Sequence, residues 1–456
     1  MVYADPVRVQ KSGNAWIDGL VDGYRWGTTA QRPSIGYTFI DETVGKFYGW
    51  RSWGWSEPEI EALDIAFNAI ELVCSLRFED RGLNNAEDVE IWLYNLDQKD
   101  SDDALGFAYL PGGGDEEGMI GINWTYYQKA DGTYKGSIAA GSYFFITFLH
   151  ELSHAVGLKH PHDKGTLGNP RFPGLTPKSS VSTDSGTYAQ NAHPYTQLTY
   201  VDEGARNGYV PTSKADYGFL QTPGALDIAA LQWLYGINAD AAIGDDLYRL
   251  PMTNQEGTGW VSIWDAGGWD TIDGSDATQS VRIDLRSATL GQNRNAGGFP
   301  SRVKGIYGGF TIAHDWNGVE LQRPANLCVI EAAVGGSAAD RLIGNSAANS
   351  LTGGDGDDLL IGAGGADQLS GGAGADRFRY QRWSDSVLGS QQDRILDFNY
   401  LEGDRLQIVP PAVAYVLDGT VFKADTNGDN QFDFAIELVN ATGLAGLKAE
   451  QLLSSV

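Results

Sequence analysis

Residues 150–160 read HELSHAVGLKH and close an apolar run, YFFITFLHELSHAVG, with the length and composition of a buried helix that stops at Gly157. On a helix, His150 and His154 lie one turn apart, so both imidazoles leave the same face and can grip one ion. Gly157 has no Cβ and can take the positive φ that ends a helix and turns the chain sharply. That turn lets His160 supply a third ligand and leaves a fourth position for water, as catalytic zinc requires. Glu151, beside the first ligand, can reach this water as general base. A bare H-E-x-x-H also occurs on ordinary helices; the extension to H-E-x-x-H-x-x-G-x-x-H adds two residue types with defined geometric work. Three of the six histidines fall within this one segment, which neither a satisfied core nor a solvated face would need.

Upstream, the chain reads as mixed α/β. Ser56 and Glu59 form a capping box before Ile60, Leu63, Phe67 and Ile70, which share one face, so a helix is expected over 57–74. Val89-Glu90-Ile91-Trp92-Leu93 reads as a strand. ALGFAYLP (104–111) reads as another, ending at Pro111 before the loop GGGDEEG. Downstream, LDIAALQWLYGIN (226–238) is the last helical stretch. Gly, Asp and Asn then rise, which puts a domain boundary near 238 and two domains at 1–238 and 239–456.

Beyond it, a nine-residue period runs in register through GGSAADRLI (335–343), GNSAANSLT (344–352), GGDGDDLLI (353–361), GAGGADQLS (362–370) and GGAGADRFR (371–379). Each unit places a tight Gly/Asp turn before a short strand whose apolar side chain points inward: Leu342, Leu351, Leu360, Leu369 and Phe378. Successive units form opposite half-turns of a parallel β-roll, so units two apart stack. Calcium ions can sit between stacked turns, on carboxylates and glycine-loop carbonyls. The pairing is Asp340 with Asp358 and Asp358 with Asp376 on one edge, Asn349 with Asp367 on the other; Gly335, Gly353, Gly362 and Gly371 contribute to the turns. A flexible linker has no reason to supply an apolar residue at every ninth position. Asp425, Asn427, Asp429 and Asp433 lack EF-hand spacing and read as a polar turn.

Acidic residues outnumber basic ones 59 to 32, for a formal charge of -27, which repels nucleic acid and anionic membrane. Cys74 and Cys328 read as separate buried thiols. The start, MVYADPVRVQ, has no apolar signal-peptide core, and no stretch reaches transmembrane length. Export is therefore expected to use a signal other than an N-terminal secretory peptide.

On these motifs the chain resembles the metzincin metallopeptidases, and within them the serralysin (alkaline protease) family, in which the zinc motif is followed by proline, here Pro161. The resemblance takes in ALGFAYLP, the zinc helix, LDIAALQWLYG, IWDAGGWDTID (263–273), the nonapeptides and DRILDFNYLEGDRLQI (393–408). It implies an α+β protein: a metzincin catalytic domain with a mixed twisted sheet and zinc helix, then an all-β parallel β-roll or sandwich. It further implies one catalytic zinc and several structural calcium ions. The expected role is that of a secreted, monomeric zinc endopeptidase acting on proteins or peptides, exported by type I secretion, with room for a protein inhibitor among its partners.

By resemblance Tyr200 is a zinc ligand at rest that turns to the oxyanion, and Asp397 helps close the roll. Ala108, Tyr109 and Leu110 are the expected edge for an extended peptide. Leu198 stands where the family's Met-turn has methionine; it has similar volume, so zinc binding is expected to survive. His162, often Gly in the family, reads either as a residue packed behind the metal ligands or, in preference, as a surface residue, and His193 and His314 as unassigned polar residues. The ending KAEQLLSSV lacks the expected aspartate-plus-aromatic signal. Two rivals are a non-enzymatic calcium-binding surface protein, and a peptidase dedicated to one partner.

Overall fold

The structure is a computed structural model that describes residues 4–27, 33–41, 50–85, 88–101, 104–201, 208–211, 215–316 and 327–454. In the first half the elements in chain order are β1 (Pro6–Arg8), α1 (Ala15–Leu20), β2 (Tyr24–Trp26), β3 (Ser34–Ile40), α2 (Glu57–Val73), β4 (Arg77–Asp80), β5 (Ile91–Leu96), β6 (Gly106–Ala108), β7 (Met119–Asn123), α3 (Phe145–Ala155) and α4 (Ala225–Tyr235). The sheet runs β4-β3-β5-β7-β6, parallel except for β6, which lies antiparallel to β7 at the edge.

α2 starts where its capping box places it: Glu59 Oε2 accepts the N–H and the hydroxyl of Ser56 at 2.7 and 2.6 Å. Ala62, Leu63, Ala66, Phe67 and Ile70 bury its inner face, each large apolar side chain contributing about 1.5–3 kcal/mol. Two strands differ from the sequence reading. β5 covers Ile91–Leu96 rather than 89–93, because Glu90 instead turns its carboxylate onto the N–H groups of Ala4 and Gly36 at 3.0 and 2.6 Å. β6 is cut to Gly106–Ala108 because Leu110 begins a turn: its carbonyl accepts the N–H of Gly113, and Glu117 takes the N–H of Gly112.

After α4 the described regular elements are strands and 3-10 turns. One sheet passes from Leu247–Arg249 through Thr271–Asp273, Ala332–Val334, Ser350–Asp355, Gln368–Ala373 and Asp393–Ile395 to Phe434–Leu438, and ends in the antiparallel strands Val421–Asp425 and Ala414–Asp418. The second runs Arg302–Val303, Val281–Asp284, Arg341–Ile343, Leu359–Ile361, Arg377–Tyr380, Arg405–Ile408. Strands two repeats apart pair in parallel, stacking Leu342 on Leu360 on Phe378 and Leu351 on Leu369. All five are buried. The roll therefore extends on both sides of the nonapeptides; its outer turns carry insertions that hide the nine-residue period.

The two halves share one apolar core. Trp264 Nε1 donates to the Asn238 carbonyl at 2.9 Å, the Trp316 N–H to Gln232 on α4 at 3.1 Å, and Trp16 Nε1 on α1 to the Gly291 carbonyl at 2.8 Å. α4 is buried on nearly every side, which is why its sequence shows so little polar face. Among the described residues no helix is long and apolar enough to cross a membrane. Both cysteines are buried free thiols.

Candidate metal centre

α3 opens with the Phe145 N–H on Ser142 Oγ at 3.1 Å and closes at Gly157, whose φ is 106°. There the N–H of Gly157 reaches the His154 carbonyl at 2.9 Å and that of Leu158 reaches Ser153 at 3.0 Å, satisfying the helix end. A Cβ at residue 157 would collide with the main-chain oxygen of Tyr24, so glycine is needed for both the turn and the close approach. The chain beyond is then pinned. The Lys159 N–H donates to the Leu20 carbonyl at 2.6 Å, and its buried ammonium donates to the carbonyls of Gly19, Asp163 and Pro170. His160 is thereby delivered to the face of α3 that carries His150 and His154.

The Nε2 atoms of these three histidines form a triangle with sides of 3.1 Å. Each Nδ1 faces an oxygen: His150 the Gln197 carbonyl at 2.8 Å, His154 the Leu158 carbonyl at 2.7 Å, His160 the Asp163 carboxylate at 2.7 Å. Those acceptors hold the ring protons on Nδ1, so three Nε2 lone pairs point at one another. Burial, then the neighbouring imidazoles, keeps His150 well below the usual histidine range; burial likewise holds His154 down to about 3, with His160 the next cause. Ring nitrogens that converge this closely need a cation between them. A triangle of this size leaves a point roughly 2.0–2.1 Å from each corner, the length of a zinc–imidazole bond, and the residues fit zinc.

The floor beneath is a buried network. Asp227, at the start of α4, accepts from Thr196 Oγ1 at 2.6 Å and from the N–H groups of Gln197 and Gly224 at 2.9 Å each. Gln197 in turn donates to Ser153 Oγ on α3 at 2.8 Å. Burial raises the Asp227 carboxyl to about 7 against these three donors. Leu198 is fully buried within this turn.

Glu151 is buried, and burial pushes its carboxyl up to about 8. It lines two depressions that meet at the triad. One is walled by Leu105, Tyr143, Ile146, His193 and Thr199, the other by Phe107, Ala108, Leu110 and Asp163; Gly106 and Tyr200 border both. Tyr200 is exposed, with its ring 5.7 Å from that of His150 and 4.6 Å from that of His160. Ala108 and Leu110 flank the second depression. Tyr109 does not, since its N–H and carbonyl are taken by Met119 and Gly118 and its ring stacks on Trp50 at 6.1 Å.

His162 is not a surface residue. Its side chain is 13% exposed and its ring lies parallel to that of His160 at 4.8 Å; the turn after Pro161 folds it back onto the cluster. His193 is buried in the wall of the first depression, edge-on to Phe219 at 5.5 Å. Asp163, Gln197 and Asp227 were not singled out from sequence. Only Asp163, three residues after His160, carried a spacing signal.

In the roll, the repeat aspartates form two ladders. The N–H of Asp340 donates to Asp358, that of Asp358 to Asp376 and that of Asp376 to Asp404; on the other edge Asn349 donates to Asp367 and Asp367 to Asp393, all at 2.7–3.0 Å. Asp393 and Asp404 were missed because insertions break the period before them. Each donation uses Oδ1. The Oδ2 atoms of Asp358, Asp367, Asp376 and Asp393 are buried with no partner among the described residues. A Cβ on Gly353, Gly362 or Gly371 would collide with the Oδ2 of Asp358, Asp367 or Asp376, and one on Gly335 would crowd Asp340. Unpaired carboxylate oxygens in glycine-lined spaces fit a hard cation.

Asp397 accepts from Ser370 Oγ at 2.5 Å and from the N–H groups of Gly371 and Gly372 at 3.0 Å, closing the adjacent turn. Asp246, Asp265 and Asp270 bring carboxylates together at the start of the roll, with Asp270 Oδ2 again unpartnered. Asp425 and Asp433 spend their oxygens on the N–H groups of Asn427, Gly428 and Asn430 and on Thr426, a self-satisfied polar turn.

A family model described as Matrixin matches residues 55–188, and one described as Peptidase M10 serralysin C terminal matches residues 226–409. The chain is 32% identical over 350 residues to Metalloprotease AprA of Pseudomonas entomophila (strain L48), covering 73% of this chain and 61% of that protein. It is 36% identical over 249 residues to Metallopeptidase AprA of Pseudomonas marginalis, covering 52% and 46%, and 32% identical over 248 residues to Serralysin C of Dickeya chrysanthemi, covering 52% and 42%. The matches thus span about half of these relatives' length.

Proposed function

The chain belongs to the serralysin-type metzincins, and from that premise we propose that it is a secreted zinc endopeptidase with structural calcium in its roll. The observation that carries this reading is the set of three Nε2 atoms 3.1 Å apart with every Nδ1 committed elsewhere.

His150, His154 and His160 would hold the zinc, with Tyr200 as a fourth, displaceable ligand. The ion would supply a Lewis acid that polarises the scissile carbonyl and makes water nucleophilic at neutral pH. Glu151, buried beside the first of the three histidines and lining both depressions, is placed to take a proton from water and return it to the leaving amine. Tyr200, at the mouth of both depressions, is in reach to donate a hydrogen bond to the oxyanion. The outer edge of β6, around Ala108 and Leu110, would pair with an extended substrate backbone, which favours broad specificity.

In the second proposed domain (239–456), Asp340, Asp358, Asp376, Asn349 and Asp367, with Gly335, Gly353, Gly362 and Gly371, would hold calcium, as would Asp246, Asp265 and Asp270. Asn349 contributes no charge, so its site should be weaker. A monomer acting outside the cell suits this assignment, and a protein inhibitor remains a candidate partner. Metal content by mass spectrometry, with casein hydrolysis before and after phenanthroline, tests the reading. One zinc per chain and hydrolysis abolished by the chelator are expected; a metal-free protein that cuts nothing would defeat it.

A further inference from the structure

The turn that follows the third histidine is held at every step. The His160 carbonyl accepts the N–H of Asp163 at 3.1 Å and the Pro161 carbonyl that of Phe172 at 3.0 Å. The His162 carbonyl accepts from Arg171 Nε, and the Asp163 carbonyl from the Lys159 ammonium at 3.0 Å. Four consecutive carbonyls are thus anchored, so the His162 ring is carried on backbone with little freedom. That ring borders neither depression at the triad. Its nitrogens are little used: Nδ1 is buried with no partner among the described residues, and Nε2 stands 3.7 Å from Asp163 Oδ1, outside hydrogen-bond reach. His162 therefore offers its surroundings a fixed flat ring rather than a donor or an acceptor.

Two rings meet it. His160 lies parallel to it at 4.8 Å, and Tyr200 lies 5.2 Å away, inclined by 44°. Tyr200 is also 4.6 Å from His160, so the three rings touch one another pairwise. On its other side Tyr200 stacks on His150 at 5.7 Å, 10° from parallel. Three histidines thus surround the phenol ring. Two of them, His150 and His160, belong to the Nε2 triangle; His162 does not. Tyr200 keeps 42% of its surface exposed, so contacts from the histidine side bear on where its ring rests. Aromatic pairs at these separations attract one another beyond the area they bury.

We propose that His162 is a positioning residue for Tyr200: its anchored ring props the phenol against the triad and biases Tyr200 toward the metal rather than toward the oxyanion. This inference rests on the reading of Tyr200 as a displaceable ligand. A contact made in one of two positions and lost in the other shifts the balance between them by its own free energy. For an aromatic pair that shift is about 2- to 12-fold. The His162 ring thereby sets how readily another ligand of the metal takes the place of Tyr200. Because His162 is outside the triangle, removing its ring leaves all three Nε2 donors in the protein.

The test uses the full chain loaded with copper(II), in which a tyrosine ligand gives a phenolate-to-copper absorption band that Tyr200→Phe must abolish. Acetohydroxamate, which grips a metal through two oxygens, displaces the phenol and bleaches the band. The midpoint of that titration reports how firmly Tyr200 is held. His162→Ala should lower the midpoint by about 2- to 12-fold while copper content and circular dichroism stay parental. His162→Phe, which returns a ring without the nitrogens, should restore the parental midpoint. An unchanged midpoint in His162→Ala overturns the proposal and leaves Tyr200 as a ligand. A midpoint equally low in His162→Phe overturns it too, because the ring would not be what holds the phenol. A copper-loaded parent without the band removes Tyr200 from the metal and takes this inference with it. A parent that binds no copper defeats the metal reading itself, a failure that metal content alone tells apart from the others.

Discussion

The carbonyl of Gln197 lies 2.8 Å from Nδ1 of His150, while the N–H of the same residue is held by Asp227 at 2.9 Å. The orientation of a ring in the triad is therefore set from the start of α4. Asp227→Asn should expose the dependence. The new amide would turn an N–H toward the donors of Gln197 and Gly224, or lose the Thr196 bond. Unpaired buried donors cost about 1–3 kcal/mol, and chemical denaturation should show a loss of that size. Zinc affinity measured by competition with a chelator should fall with it. An unchanged midpoint would mean that Asp227 does not support the turn.

Asp163 stands in the same relation to His160, 2.7 Å from Nδ1. Its carboxyl lies below the usual range, chiefly through that hydrogen bond. Asp163→Ala should lower zinc affinity about 10- to 100-fold, the usual effect of removing the partner behind a ligating histidine, while the fold and calcium content persist. Equal zinc affinity in parent and variant would remove Asp163 from the metal's support.

Glu151→Ala separates binding from chemistry. The side chain makes no contribution to the triad of Nε2 atoms, so zinc content should stay at one per chain. Peptide hydrolysis should drop by about 10²–10⁴-fold, the range expected for a general base. Hydrolysis at the parental rate would assign the proton transfer elsewhere.

What the sequence disclosed was whatever rests on short-range periodicity. Spacing alone brought His150, His154 and Gly157 to their places, and the ninth-residue leucines predicted the stacking of Leu342 on Leu360. Contacts between distant segments left no such trace. Gln197 and Asp227 reach the centre through folds of the chain that no local pattern encodes. Asp393 and Asp404 extend the ladders at separations of 26 and 28 residues rather than 18. For His162 the sequence left two readings, because nothing local decides whether its ring lies against His160 or in solvent.

Leu198, fully buried in the turn below the triad, tests how much the missing thioether matters. Leu198→Met conserves volume and apolarity, and such swaps cost less than about 1.5 kcal/mol. Zinc content should be unaltered and the unfolding midpoint nearly so. A large gain in hydrolysis without a change in stability would show instead that sulfur under the histidines affects the chemistry.

Gly353 is required for space rather than for an unusual turn. Its Cβ would enter the gap beside Asp358 Oδ2. Gly353→Ala should therefore weaken calcium binding and cost about 1–3 kcal/mol as an overpacked site. Calcium titration followed by calorimetry would reveal it, and parental affinity would show that the gap is not a cation site.

Without calcium, the roll should respond to pH in the direction opposite to a salt-bridged protein. Burial raises the carboxyls of Asp358, Asp367 and Asp376 to about 7 and that of Asp393 to about 9. Between the unfolded carboxylate range near 4 and these values, the folded roll binds more protons than the unfolded chain, so its stability must fall as pH rises. Calcium bound at the ladders would reverse the preference by stabilising the ionised form. In EGTA the melting temperature of the roll should be higher at pH 5 than at pH 8; in excess calcium that difference should shrink or invert. Self-repulsion of a chain with formal charge -27 acts in the same direction, so Asp376→Asn is the control: removing one raised carboxyl should flatten the slope in EGTA. A slope identical in parent and variant would trace the effect to net charge and not to the ladder.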